Sequence, residues 1–436
     1  MSGISERETP QAGAGGQELV IAADFGTSGV KLAAINRDLA LVATATRPYP
    51  LSLPGNDGAE QNPEDWWTAL ANGVADLRRE VPDLSHRAVA LVFCAQMCGV
   101  VSVSRTGDLL RPAMIWLDKR AGTLSRTMNG GFPSLAGYRL DKLLAWTRIA
   151  NGAPSHNGMD PPAKMLWLKR NEPEVWDAAD KFLDVKDWLV MRATGACVTT
   201  ADSANLTWMM DTRPGREGWS AYLAGRLGIP LDKLPEIVDG TAVAGGLLPD
   251  AAAGLGLATG LPVIAGAGDV GATAIGSGAM ADGELHAYAG TSAWLSGFFP
   301  SRRIDIFHSF ATISSPVSFR PLLIATQESA GTAFAWAARL VGESAGDSDA
   351  ALDTLYDGIG PLHDLAHRLV VADVAQYRLD LADNAVGPDE DGFVRTPHRH
   401  AHPPADASCC TSHSASDPAR RAARGILLHS GHVGRW

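Results

Sequence analysis

Two aspartates and two glycine-rich turns carry the chemistry this sequence could perform. Asp24 stands near the end of an apolar run and is followed, after Phe25, by Gly26-Thr27-Ser28-Gly29, with Lys31 two residues further on. Such a turn can aim backbone N–H groups and two hydroxyls at a phosphate. Asp24 beside it can hold Mg²⁺ through water, because Mg²⁺ keeps most of its hydration shell. Taken alone, the simpler reading prevails, an aspartate that caps a hairpin. A second turn, Gly290-Thr291-Ser292, again follows an apolar stretch. Two turns of the same chemistry, far apart in the chain, suggest two lips of one phosphate site. Between them Asp269 ends the bend Gly266-Ala267-Gly268-Asp269. A carboxylate at a strand end could act as general base toward a hydroxyl. The alternative is a turn residue bonded to its own backbone.

The elements that must position these groups follow from the hydrophobic pattern. Residues 19–26, 30–36 and 39–46 read as strands, with residues 26–29 as a tight hairpin whose glycines supply positive φ. Residues 64–80 have apolar residues at helical spacing after Asn62-Pro63. Strands are expected at 88–93 and 99–104, helices at 162–170 and 174–195, and Trp167, Trp176 and Trp188 in the core. A strand at 261–268, a strand–turn–strand at 285–298 and a helix at 330–342 follow. The alternation predicts α/β layers.

At 436 residues the chain has room for two or three domains of roughly 100–200 residues. Its 37 basic and 48 acidic residues give a net charge of −11, which argues against nucleic acid held by bulk electrostatics. Five scattered cysteines make no disulfide framework and fit a reduced, cytoplasmic setting. Residues 1–18 are polar and Gly-rich, read as a disordered tail with no signal segment. The uncharged run 251–268 holds five glycines and a proline, so buried strand and turns are expected there rather than a membrane span.

Five segments stand in order along the chain: Asp24-Phe25-Gly26-Thr27-Ser28-Gly29-Val30-Lys31; Ala59-Glu60-Gln61-Asn62-Pro63-Glu64-Asp65-Trp66-Trp67; Met159-x-Pro161-x-x-Lys164-Met165-x-Trp167-Leu168-x-Arg170-Asn171; Gly266-Ala267-Gly268-Asp269; and Gly290-Thr291-Ser292. Together they resemble the FGGY family of carbohydrate kinases, and the N-terminal half is most similar to xylulose kinases. The third fits the family signature at every constrained position. The resemblance covers about residues 19–345. It implies a two-domain α/β fold of the actin/hexokinase (ribonuclease H-like) kind with a cleft between the domains. It also implies ATP-dependent phosphorylation of a ketopentose or related sugar or polyol. Asp269 would be the catalytic base. Asp24 would place Mg²⁺ and the transferring phosphoryl group, while Thr27, Ser28, Lys31, Gly290, Thr291, Ser292 and Gly331 would hold phosphates of Mg-ATP. Gln96, Met97, Cys98, Trp116, Asp118 and Arg120 would line the sugar site. The expected partners are a small-molecule sugar, no nucleic acid and no membrane, with a homodimer as a candidate assembly.

Several positions depart from the family pattern. Cys98 stands where xylulose kinases usually have His, and Val270 where they have Asn after the catalytic Asp. Losing two polar contacts can change the substrate, because a site built to bind a hydroxyl discriminates strongly. Trp116 could stack on a sugar, or be a core tryptophan at a strand end. Cys98 has no evident partner base and is a poor nucleophile candidate. Beyond about residue 360 the match fades: Thr396-Pro397 runs into His398-Arg399-His400, and no Gly-Gly-Gly adenine loop follows. The expected organisation is a sugar domain at 19–280, a partial nucleotide domain at 281–360 and a poorly ordered tail at 361–436, in which the composition of the last 40 or so residues suggests a shifted reading frame or a degenerate end. Eight of the 12 histidines fall after residue 360, and His398, His400, His402, Cys409, Cys410 and His413 invite a metal reading. The adjacent cysteines lack zinc-site spacing. The rival to the kinase is a sugar-binding remnant that lacks a complete ATP site; a fold-related ATPase acting on proteins is disfavoured by the third segment.

Overall fold

The structure is a computed structural model that describes residues 16–289, 293–305 and 310–327. The chain divides into two compact units, Met1–His286 with Trp294–Thr326, and Ala287–Ala293 with Gln327–Trp436. The first unit is built on a six-stranded sheet. Its strands are β1 (Leu19–Phe25), β2 (Gly29–Asn36), β3 (Leu41–Pro48), β4 (Ala88–Ala95), β5 (Val243–Gly246) and β6 (Pro262–Gly268), in the order β5-β6-β4-β1-β2-β3. β1, β2 and β3 form an antiparallel meander, while β1, β4 and β6 run parallel at the centre. The alternation of β1 buries Leu19, Ile21, Ala23 and Phe25 on one face and leaves Asp24 on the other.

Helix α1 (Pro63–Glu80) packs on β2 and β3. Asn62 caps it by accepting from the Glu64 N–H at 3.2 Å, and Pro63 occupies the first turn, where its missing N–H is harmless. Its apolar stripe of Trp66, Leu70, Val74 and Leu77 is fully buried. Gly73 lets the helix approach, since a Cβ there would stand 2.3 Å from Leu32 Cδ1.

The structure corrects several sequence expectations. The glycines of the 26–29 turn do not have positive φ. Gly29 is needed for close approach instead: a Cβ would lie 2.7 Å from the Arg47 carbonyl oxygen on β3. Positive φ is needed at Gly266 (79°), where β6 shifts register against β4 and a Cβ would fall 2.0 Å from the Phe93 carbonyl oxygen. The single helix expected at 174–195 is broken into Pro173–Ala178, a strand Lys181–Leu183 paired with Val101–Val103, and α3 (Val185–Thr194), with α2 (Pro161–Asn171) preceding them. Asp184 starts α3 with a capping box to Asp187, a helix-start signal inside the segment read as continuous. Of the three tryptophans, Trp176 and Trp188 are buried but Trp167 only partly. The run at 251–268 includes the end of a helix, Pro249–Leu255, before β6, and among the described residues no helix is long and apolar enough to cross a membrane.

Two further helices bear on the site, α4 (Ala201–Leu206) and α5 (Asp269–Gly276), the second continuing directly from β6. A second sheet includes Ala293–Phe298, Phe310–Ser314 and Pro321–Gln327. Its Phe298, Ile313 and Leu322 pack with Met97, Val270 and Ala274. The expected bend at 290–292, the helix at 330–342 and the histidine-rich tail lie outside the described residues.

Candidate active site

Three parallel strands end side by side here, and open α/β sheets place ligands beyond such carboxyl ends. Asp24 of β1 is in register with Cys94 of β4, which in turn faces Ala267 of β6. One residue past β6, Asp269 opens α5. Asp24 presents accessible surface yet is surrounded by enough protein that burial raises its carboxyl, against a hydrogen bond from Cys94 and the charge of Lys31, its cross-strand partner. Asp269 is less accessible. Burial, then the charge of Asp24, push it up to about 7, with Asp184 and Asp202 adding to the rise. The Val270 N–H donates to it at 2.9 Å and works the other way. A carboxyl poised near neutrality suits a general base.

The 26–29 turn is held from several sides. The Gly26 N–H donates to the Gly29 carbonyl at 3.0 Å, and the Tyr49 hydroxyl donates to the Gly26 carbonyl. Gln61 Nε2 donates to the Thr27 carbonyl at 2.7 Å, while Gln61 Oε1 accepts from Gln96 Nε2 at 2.9 Å and from the Trp66 indole at 3.1 Å. The Trp116 indole donates to Thr27 Oγ1 at 3.0 Å, and Thr27 Oγ1 reaches Gln96 Oε1 at 3.4 Å. Gln96 and Trp116, expected to face a sugar, thus also brace the turn. Ser28 is exposed at its tip and Lys31 is exposed on β2.

The remaining expected sugar residues sit in two loops joined by one lysine. Lys164 of α2 is fully buried and donates to the carbonyls of Cys98 at 2.8 Å and Ile115 at 2.6 Å. Burial lowers its ammonium to about 8. Cys98 adopts φ 62°, rare outside glycine. Burial pushes its thiol well up, so it is no nucleophile. Met97 is buried against Gly268, where a Cβ would meet its Sδ at 2.4 Å. Asp118 is fully buried, accepts from the Ala59 N–H at 3.0 Å and pairs with Arg120 at 2.7 Å. Arg120 also bonds Glu60 and lies 4.6 Å over the Trp167 ring, so its guanidinium is pinned.

The model of the FGGY family of carbohydrate kinases, N-terminal domain, matches residues 19–276, more than half of the chain. The chain belongs to the FGGY family of carbohydrate kinases. It is 30% identical over 331 residues to a xylulose kinase of Escherichia coli strain K12, covering 75% of this chain and 64% of that one. A xylulose kinase of Bacillus subtilis is 30% identical over 287 residues, 66% of this chain and 54% of that one. The chain thus spans less than two thirds of the length of these two relatives. Among solved structures, a xylulose kinase from Rhodospirillum rubrum superposes with a TM-score of 0.69 at 25% identity, over 78% of this chain and 67% of that one. The α/β fold expected from the motifs is therefore the one this family uses.

Against that FGGY frame, some expected phosphate residues, Gly290, Thr291, Ser292 and Gly331, lie outside the described residues. Other buried charged groups near the strand ends are not singled out by the sequence reading. Asp202 is fully buried and accepts the Gly268 N–H at 2.7 Å. Lys186 and Asp187 form a buried pair at 2.5 Å. Asp184 accepts the Gly99 N–H at 2.8 Å, and its carboxyl is raised to about 6 by burial and by Asp187. The available signal was charge where no polar face exists: Lys186 and Asp187 interrupt a helix buried nearly all round.

Proposed function

We propose that this FGGY chain phosphorylates a ketopentose or a related sugar or polyol with ATP as donor, Asp269 acting as general base. The similarity to xylulose kinases supports that substrate class. One observation carries the mechanism: a carboxyl that titrates at about 7 stands beside a second carboxylate and a hydroxyl-bearing turn at the ends of parallel strands. At neutral pH about half of such a group is ionised. The ionised form takes the proton of the sugar hydroxyl as that oxygen bonds to the γ-phosphorus, the bond from phosphorus to the ADP oxygen breaks, and Asp269 later returns the proton to solvent. Phosphoryl transfer needs mainly positioning and charge neutralisation. Thr27, Ser28 and Lys31 serve that end, joined in this reading by Gly290, Thr291, Ser292 and Gly331.

The donor set fits a divalent cation. Asp24 is accessible, and its charge already raises Asp269, a repulsion that a cation would relieve. Mg²⁺ held at Asp24 through water would supply charge neutralisation at the phosphate oxygens. Gln96, Met97, Cys98, Trp116, Asp118 and Arg120 shape the sugar side, largely by fixing loops. We assign residues 19–280 to the sugar domain and residues 281–360 to the start of a nucleotide domain, of which residues 294–326 fall in the first compact unit.

Asp269→Asn tests the mechanism. Turnover in an ADP-release assay with D-xylulose should fall by about 10²–10⁴-fold with folding retained; near-normal turnover refutes it. Calorimetry of Mg-ATP, with and without D-xylulose, should show binding to the full chain. A folded chain that binds sugar alone would instead be a sugar-binding remnant.

A further inference from the structure

We infer that Asp202 is a positioning residue whose buried carboxylate fixes the peptide that carries Asp269. The inference rests on the general-base reading of Asp269. Helix α5 begins directly after β6, and its N-cap residue, Gly268, has no side chain to satisfy an amide of the first turn. Asp202 reaches over from α4, and its Oδ2 accepts the Gly268 N–H at 2.7 Å. Its Oδ1 accepts the Thr200 hydroxyl at 2.5 Å, so both carboxylate oxygens are engaged and the group cannot turn away. Asp202 and Thr200 are both fully buried. Met97 also closes on Gly268, where even a Cβ would stand 2.4 Å from its Sδ. Gly268 is therefore held by a carboxylate and covered by a thioether, and the next residue is Asp269.

A neutral acceptor would hold the same N–H without the desolvation cost of a buried charge. The charge has a second effect. The charged groups facing Asp269 are Asp24 from β1, Asp184 from the start of α3, and Asp202. All three favour its protonated form. Lys186 is the cation that Asp202 faces, and it is itself paired with Asp187. Asp202 therefore supplies position through a hydrogen bond and proton affinity through its charge, and the two are separable by substitution.

The test uses the full chain with Asp202→Ala and Asp202→Asn, read by hydrogen exchange of peptides covering residues 263–272 and by steady-state kinetics with Mg-ATP and D-xylulose. Asp202→Ala should speed exchange at the start of α5 by about 10-fold or more. It should lower kcat by about 10–100-fold while both KM values stay within about 3-fold, because small misplacements of a reacting group are costly. Asp202→Asn keeps an oxygen for the Gly268 N–H. It should restore the exchange protection and most of kcat, and move the acidic limb of the kcat/KM profile to lower pH by about half a unit. Equal effects of Ala and Asn on exchange and rate would overturn the inference, as would an Ala variant with unchanged exchange. Normal turnover in Asp269→Asn would instead overturn the general-base reading, and the exchange contrast between the two Asp202 variants would still decide whether Asp202 holds the peptide.

Discussion

Replacing Asp269 with asparagine should stabilise the protein at alkaline pH while removing its proposed chemistry. In the folded chain this carboxyl titrates at about 7. An unfolded aspartate titrates at about 3.9. The folded state thus holds the proton more tightly, so the contribution of Asp269 to stability is fully present below about pH 4 and is lost as pH rises through about 7. A gap of about three units corresponds to about 4 kcal/mol at 1.36 kcal/mol per unit. The side chain is partly accessible, and solvent screening reduces this to about 2–3 kcal/mol. Asparagine keeps the shape and an oxygen for the Val270 N–H, but it never ionises. Urea unfolding of parent and variant gives the readout. The stability of the variant minus that of the parent should widen by about 2–3 kcal/mol between pH 4 and pH 8. A flat or narrowing difference would mean that the carboxylate is not strained in the folded state, and the argument for a poised base would fall with it. The measurement needs no turnover, so it separates the electrostatics of the site from the activity of the chain.

Three other perturbations probe the same architecture. Asp24→Asn removes the charge that raises Asp269, so the acidic limb of kcat/KM should move to lower pH by up to about one unit, and the Mg²⁺ needed for half-maximal rate should rise about 10-fold; an unchanged profile and Mg²⁺ requirement would contradict this role. Lys164→Met leaves the Cys98 and Ile115 carbonyls without their donor, at about 1–3 kcal/mol each. Because the folded lysine titrates at about 8, below its unfolded value, the parent should gain stability over this variant by up to about 3 kcal/mol between pH 8 and about 10.5, a window that chemical denaturation can follow. Gly266→Ala places a methyl group against the Phe93 carbonyl at a positive φ, and should lower stability by about 3 kcal/mol or more by the same measurement; a loss below about 1 kcal/mol would show that β6 can relax there.

What could be read from the sequence is what is local. The alternation of β1, the cap at Asn62 and the aspartates that end apolar runs are properties of a few neighbouring residues, and the strand ends of β1 and β6 follow from them. The break before Asp184 was missed because Asp177, Asp180, Asp184 and Asp187 recur at helical spacing, so the pattern reads on through the strand Lys181–Leu183. The need for Gly29 was misassigned for a related reason. A glycine required by positive φ and one required by a neighbouring strand look the same in one dimension, and only the pairing of β2 with β3 tells them apart. The same distinction governs the site. Gln96 and Trp116 were expected as sugar contacts from their place in a motif, yet each also bonds the turn around Thr27. Asp202 lies 66 positions from the amide it accepts, in a helix with no pattern of its own. A residue that touches a ligand and one that holds the loop doing so are subject to the same spacing in the chain. Their roles differ only in where the hydrogen bonds go: a side chain whose polar atoms are all engaged within the protein can shape a sugar site without contacting the sugar. Asp118 has both oxygens committed to Arg120 and the Ala59 amide, so its substitution should be felt through the loop it holds.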